Sequence, residues 1–210
     1  MTKKKKTKKP KKPKAPAGRQ ATVERATKET TIELTLNLDG TGQASIDTGI
    51  GFLDHMLGAL TKHARFDLSL TCKGDLVIDD HHTAEDCALA LGQALDQALG
   101  ERRGIARFGH AYVPLDEALA RAVVDLSGRP WPAIDLGLTR ERIGAIACEN
   151  LTHVLQSLAI ASRSSLHVDV LKGDNDHHRV EAAFKATALA LRHAVSLTAT
   201  DDIPSTKGVL

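Results

Sequence analysis

The sequence predicts an α+β fold made of a duplicated α/β unit: two pseudo-symmetric halves, each a sheet with helices on one face. Three observations predict it. Short runs alternate apolar with polar residues, longer runs space their apolar residues 3.6 apart, and blocks of sequence recur about 90 residues further on. The 210 residues are 42% hydrophobic, enough to build a core without disulfide staples.

The first element is a tail. Residues 1–20 carry nine Lys, one Arg and no acid, and have almost nothing to bury. They read as a disordered, solvated extension. The formal net charge of +2 therefore splits into a tail of +10 and a body of −8, since residues 21–210 hold 18 basic against 26 acidic side chains. An acidic body excludes a uniformly basic nucleic-acid binder, and one Trp, one Tyr and four Phe are too few for a base-stacking platform.

In the body, Ile32, Leu34, Leu36 and Leu38 alternate up to a turn at Asp39-Gly40, which reads as strand and hairpin. Phe66, Leu68, Leu70 and Cys72 alternate before Gly74. A helix follows, with Ala84, Cys87, Ala88, Leu91, Leu95, Ala98 and Leu99 on one face. Later, Leu166, Val168 and Val170 alternate before Gly173, and Val180, Phe184, Ala188, Leu191 and Val195 mark a second helix. The repeat ties these together. Residues 36–47 resemble 124–135 at an offset of 88, 54–60 resemble 152–158 at 98, and 80–85 resemble 176–181 at 96. The halves are placed at 21–110 and 111–210.

Cys72, Cys87 and Cys148 are odd in number, far apart and in no C-x-x-C pair, which argues against a disulfide scaffold or a structural zinc site. No apolar stretch is long enough to cross a bilayer, and the N-terminus has no apolar signal core and no transit-peptide composition. The expectation is a cytoplasmic protein without membrane contact and without nucleic acid as a partner.

The ten His carry the chemistry. His55 precedes the pair His81-His82, and His153 precedes His177-His178; Glu85 and Glu181 follow the pairs at the same spacing. One such cluster has a bland reading as surface polarity, but the same pattern at equivalent repeat positions reads as metal ligation. If HHxxE opens a helix, His81 and Glu85 share a face, as do His177 and Glu181, while His82 and His178 turn away by about 100° toward a second ion. Six imidazoles and two carboxylates give four ligands to each of two metals. Donors without thiolate suit Mn²⁺, Fe²⁺, Co²⁺ or Zn²⁺.

Several segments resemble the imidazoleglycerol-phosphate dehydratase family. They are GIGFLDHML from Gly49 to Leu57, GDLVIDDHHTAED, RFG at 107–109, DEALARAVVDLSGRP and GDNDHHRVEAAFKA, together with RATKETTIELTLNLDGTG near the start and PSTKG near the end. The resemblance spans 21–210, departing where Thr152 stands in place of the Glu that relatives often carry. It implies a ribosomal protein S5 domain 2-like fold and two Mn²⁺ per active site. His55, His82, His177 and Glu181 would hold one ion; His81, Glu85, His153 and His178 would hold the other. It also implies a high-order homo-oligomer, a 24-mer, with ligands drawn from adjacent subunits.

The reaction implied is the dehydration of imidazole-glycerol phosphate to imidazole-acetol phosphate in histidine biosynthesis, through a di-metal-bound imidazolate and a diazafulvene-like intermediate. A metal on the ring acidifies the opposite N–H, and the electron-rich ring then expels a poor leaving group. By the same resemblance Glu29 is the catalytic acid/base, and Glu29, His55, His63, His81, Arg107, Arg129, His177, Lys185, Ser205 and Lys207 contact substrate, with Lys62 lining the cleft. Arg107 and Arg129 have the forked geometry that grips phosphate. The segment Asn37-Leu38-Asp39-Gly40-Thr41 looks like a dehalogenase-type phosphatase motif but has Asn37 where that nucleophile stands, and no nucleotide-binding glycine fingerprint is present. The competing readings are a two-metal hydrolase and a metal- or RNA-binding protein; turnover of the implied substrate, lost on chelation, separates them.

Overall fold

The computed structural model describes residues 18–210, and the two halves repeat one order of elements. The first half runs β1 (Gln20–Ala26), β2 (Thr30–Asn37), β3 (Ala44–Asp47), α1 (Gly51–Ala64), β4 (Asp67–Gly74) and α2 (His81–Leu99). The second runs β5 (Phe108–Leu115), β6 (Ala118–Asp125), β7 (Trp131–Asp135), a short hairpin of β8 (Arg142–Ile143) and β9 (Ile146–Ala147), α3 (Cys148–Ala161), β10 (Ser165–Lys172) and α4 (Asp176–Ala194). The sheets are ordered β1-β2-β4-β3 and β5-β6-β10-β7. In each, the one parallel pair (β3 with β4, β7 with β10) is joined by the crossover helix that such pairing requires.

Alternation decides which face each sheet buries. Ile32, Leu34 and Leu36 of β2 and Leu68, Leu70 and Cys72 of β4 point inward, leaving Glu33, Thr35, Ser69 and Thr71 outside. All four helices lie against these inner faces, α1 packing on α4 and α2 on α3 across the two halves. Leu60, Leu91, Leu95, Leu158 and Leu191, from the four helices, close over Leu36 and Phe66 in one continuous core. Two glycines permit the closest approaches. A Cβ on Gly74 would stand 1.9 Å from Thr83 Oγ1, and one on Gly109 would stand 1.9 Å from the Ala190 carbonyl.

Four expectations change. The turn after β2 exists, with the Asp39 amide donating to Asn37 Oδ1 at 3.0 Å, but it makes no hairpin. β4 takes the place beside β2, where its Leu68, Leu70 and Cys72 continue the buried face of Ile32, Leu34 and Leu36, and β3 pairs parallel on its other side. Two residues assigned to the tail belong to the body, since Gln20 opens β1 and Arg19 pairs with Asp39, while residues 1–17 lie outside the described residues. The boundary at 110/111 falls inside β5, so the halves divide in the 100–107 connection. Finally, α1 and α3 were visible only as repeat segments and prove to be helices. Cys72, Cys87 and Cys148 are all free and buried. No helix among the described residues is long and apolar enough to cross a membrane.

Candidate metal centre and active site

Both HHxxE blocks open a helix, and each is held by side chains just before it. Asp79 Oδ1 accepts the amide of His81 at 2.9 Å, and Asn175 Oδ1 accepts that of His177 at 2.9 Å. The next residues, Asp80 and Asp176, are buried anchors. Asp80 accepts from the Ala147 amide (2.8 Å), Asn150 Nδ2 (2.7 Å) and Arg142 (2.6 Å); Asp176 accepts from the amides of Thr139 (2.9 Å) and Arg140 (2.7 Å). The first turn of each helix is therefore fixed from behind.

On those turns the i, i+4 geometry holds. His177 Nε2 lies 3.1 Å from Glu181 Oε2, and His81 Nε2 lies 3.8 Å from Glu85 Oε2. The third donor comes from the other half in each case. His55, on α1, sets its Nε2 3.3 Å from Glu181; His153, on α3, sets its Nε2 3.0 Å from Glu85. The candidate ligand atoms of each trio lie within 4.8 Å of one another. Two imidazoles and a carboxylate with no thiolate form a donor set that fits a divalent transition metal, with room for further ligands.

His82 and His178 stand apart from the trios, turned away as the helical repeat requires. His82 donates from Nδ1 to Asp75 Oδ2 at 3.0 Å and presents Nε2 3.7 Å from Glu29 Oε1. His178 donates from Nδ1 to Glu117 Oε2 at 2.8 Å and presents Nε2 3.7 Å from Asp116. Each chain thus gathers three of the four ligands expected per ion. Glu29 is placed by its backbone: its amide donates to Thr27 Oγ1 at 3.1 Å and its carbonyl accepts from the Asp75 amide at 3.1 Å, leaving its carboxylate unclaimed by any strong hydrogen bond among the described residues.

The electrostatics follow from these contacts. Burial opposes ionisation of Glu181, but the Lys185 ammonium at 2.7 Å, with His55 and His177, outweighs it and holds the carboxyl down at about 2. His63, nearby on α1, is pushed down by burial and then by the Lys185 charge. The Asp75 and Glu117 carboxylates raise His82 and His178 above the ordinary imidazole value.

The remaining predicted substrate contacts lie elsewhere. Arg107 forks onto Asp125 at 2.7 and 3.0 Å and donates to the Pro204 carbonyl at 2.8 Å, next to Ser205 and Lys207. Arg129 sits in the adjoining β6–β7 loop, folded onto the Ser127 carbonyl. The Arg107 amide donates to the carbonyl of Ala194, at the far end of α4 from His177. At 1.5 Å of rise per residue, roughly 25 Å of helix separates the two groups. Sequence reasoning gave no role to Asp75, Glu117 or Asn150. The carboxylates flanking the His pairs were in view, but a contact between residues 61 apart, such as Glu117 with His178, has no local signature.

Comparison with known proteins places the chain in a family. A family model described as imidazoleglycerol-phosphate dehydratase matches residues 48–191. A curated protein of that name from Phytophthora nicotianae is 62% identical over 192 residues, covering 91% of this chain and 42% of that protein. One from Kluyveromyces lactis is 53% identical over 215 residues, covering 91% of this chain and 97% of its own length. A solved structure of the Pyrococcus furiosus enzyme, in complex with (S)-C348, superposes with a TM-score of 0.78 at 37% identity, over 90% of this chain and all of that one.

Proposed function

The chain belongs to the imidazoleglycerol-phosphate dehydratase family, and on that premise we propose how its residues divide the reaction. It is a lyase of histidine biosynthesis that removes water from imidazoleglycerol phosphate. The observation that carries the two-metal reading is the pair of His/His/Glu trios at equivalent positions of the two halves. Two Mn²⁺ ions, held by His55, His82, His177 and Glu181 and by His81, Glu85, His153 and His178, would acidify the imidazole N–H of the substrate and polarise its ring.

The chain's own groups supply the rest. Glu29 moves the protons: its carboxylate stands 3.7 Å from His82 Nε2, and its backbone is locked by Thr27 and Asp75 so that only the side chain needs to turn. Lys185 keeps Glu181 ionised and, with Lys62 on the last turn of α1, puts positive charge around His63, which burial holds toward its neutral form. Arg107, Arg129, Ser205 and Lys207 grip the phosphate. That grip stands roughly 25 Å along α4 from the ligands of its own chain, farther than one small phosphate ester reaches. The working site is therefore composite, with phosphate contacts and the fourth metal ligands contributed by neighbouring copies in a homo-oligomer, a 24-mer in this reading. A cytoplasmic location belongs to the same reading.

Metal analysis combined with light scattering tests it. The expected result is two Mn²⁺ per chain, a large assembly that shrinks on chelation, and turnover lost and regained with the metal. A monomer fully active with its metal would overturn the composite site.

A further inference from the structure

We propose that Asp75 and Glu117 are positioning residues that hold His82 and His178 as Nδ1–H tautomers, so that each imidazole offers its Nε2 lone pair to a metal. The proposal rests on the two-metal reading above and extends it to residues that touch neither metal nor substrate.

A neutral imidazole ligates through only one nitrogen, and the partner of the other nitrogen decides which. A carboxylate accepts and cannot donate, so Asp75 at 3.0 Å and Glu117 at 2.8 Å each place the proton on Nδ1. His81 shows the same choice made by a neutral group. Asn150 spends its Nδ2 on the buried Asp80 at 2.7 Å, so the Oδ1 that it turns to His81 Nδ1, at 2.9 Å, can only accept. Nε2 of His55, His81, His153 and His177 is the atom aimed at the carboxylates of the trios. Nε2 is thus the nitrogen that faces the candidate sites in these four, and an acceptor at Nδ1 fixes the proton on that atom in His81, His82 and His178.

The duplication strengthens the case. The two connectors into the HHxxE helices both begin Gly-Asp, at Gly74-Asp75 and Gly173-Asp174, so the counterpart of Asp75 is Asp174. Yet in the second half it is Glu117, from the β5–β6 turn, that takes Nδ1, while Asp174 gives only its amide, to Glu117. At the repeat offset of 88, the counterpart of Glu117 is Glu29. The first half uses its connector carboxylate for the task, leaving Glu29 facing Nε2, and the second uses its turn carboxylate. Inheritance from one ancestral half would put the same residue at both sites. Different residues at the same nitrogen point to a requirement on the imidazole itself.

Mn²⁺ titration of the full chain, followed by electron paramagnetic resonance, tests this. Asp75→Ala should weaken one of two classes of site by about 10- to 100-fold, the range for loss of an outer partner of a metal ligand. Asp75→Asn, which keeps an acceptor, should recover most of the loss, and the thermal melt of the metal-free protein should stay unchanged. Glu117→Gln should weaken the other class. Unchanged affinity in Asp75→Ala, or an equal loss at both classes, would overturn the positioning role. His82→Ala is the control for the underlying reading. If it binds Mn²⁺ as wild type does, the ligand assignment has failed and the positioning role falls with it.

Discussion

His55 and Glu181 are 126 residues apart in the chain and 3.3 Å apart in the fold. One stands on α1 of the first half, the other on α4 of the second. His153 and Glu85 repeat the relationship in reverse at 3.0 Å. Each candidate metal centre therefore lies on the seam between halves, and neither half could assemble one alone.

Glu181→Gln separates the two centres. The amide keeps the shape of the side chain but loses the anionic donor shared by His55 and His177. Bound Mn²⁺ should fall from two ions per chain to one, by metal analysis after dialysis. Turnover should fall by at least about a hundredfold, the upper range for loss of a mere outer partner. Retention of both ions would remove Glu181 from the ligand set.

Arg107→Lys tests the phosphate grip. Arg107 has the planar fork that already engages Asp125 through two nitrogens, and Lys cannot reproduce it. A hydrogen bond to a charged group contributes about 1.5–3 kcal/mol, so steady-state kinetics should show KM raised by roughly tenfold or more, with kcat moving less. An unchanged KM would place the phosphate elsewhere.

Asp67 should shape the acid limb of stability. The Gln43 amide first, then that of Thr41, holds its carboxyl below the usual 3.8. A folded-state value below the unfolded one contributes stability above pH 4 or so, lost as pH falls through the folded value. Asp67→Asn should therefore destabilise the protein at neutral pH and flatten the fall below about pH 4. Denaturant melts at several pH values measure this; an unaltered acid limb would contradict it.

Gly109→Ala should destabilise the fold. Its Cβ would meet the Ala190 carbonyl at 1.9 Å, backbone against backbone, so β5 and α4 must part. Overpacking of this kind costs about 1–3 kcal/mol, readable as a lower denaturation midpoint at unchanged slope.

Much of the fold was legible because its signals are local. Ile32, Leu34 and Leu36 announce β2 by alternation, and the faces of α2 and α4 follow from their periodicity. The shorter helices α1 and α3 carry no local start signal, since Gly51 and Cys148 open them with no capping side chain. The expected hairpin at Asp39-Gly40 failed because strand order depends on which neighbour buries the most apolar surface, and that neighbour, β4, comes after α1.

The sequence by itself determined the duplicated α+β architecture, the recurrence of the His and HHxxE pattern in both halves and the sharing of faces at i and i+4, because periodicity and repetition are properties of the linear chain. Tertiary structure decided which His55-like residue meets which Glu, because that depends on α1 crossing to α4 and α3 to α2. It also decided which nitrogen each imidazole offers, since Asp75 and Glu117 reach His82 and His178 from unrelated places in the chain. A helix fixes which face a ligand stands on; only the packing of one half against the other fixes what that face meets.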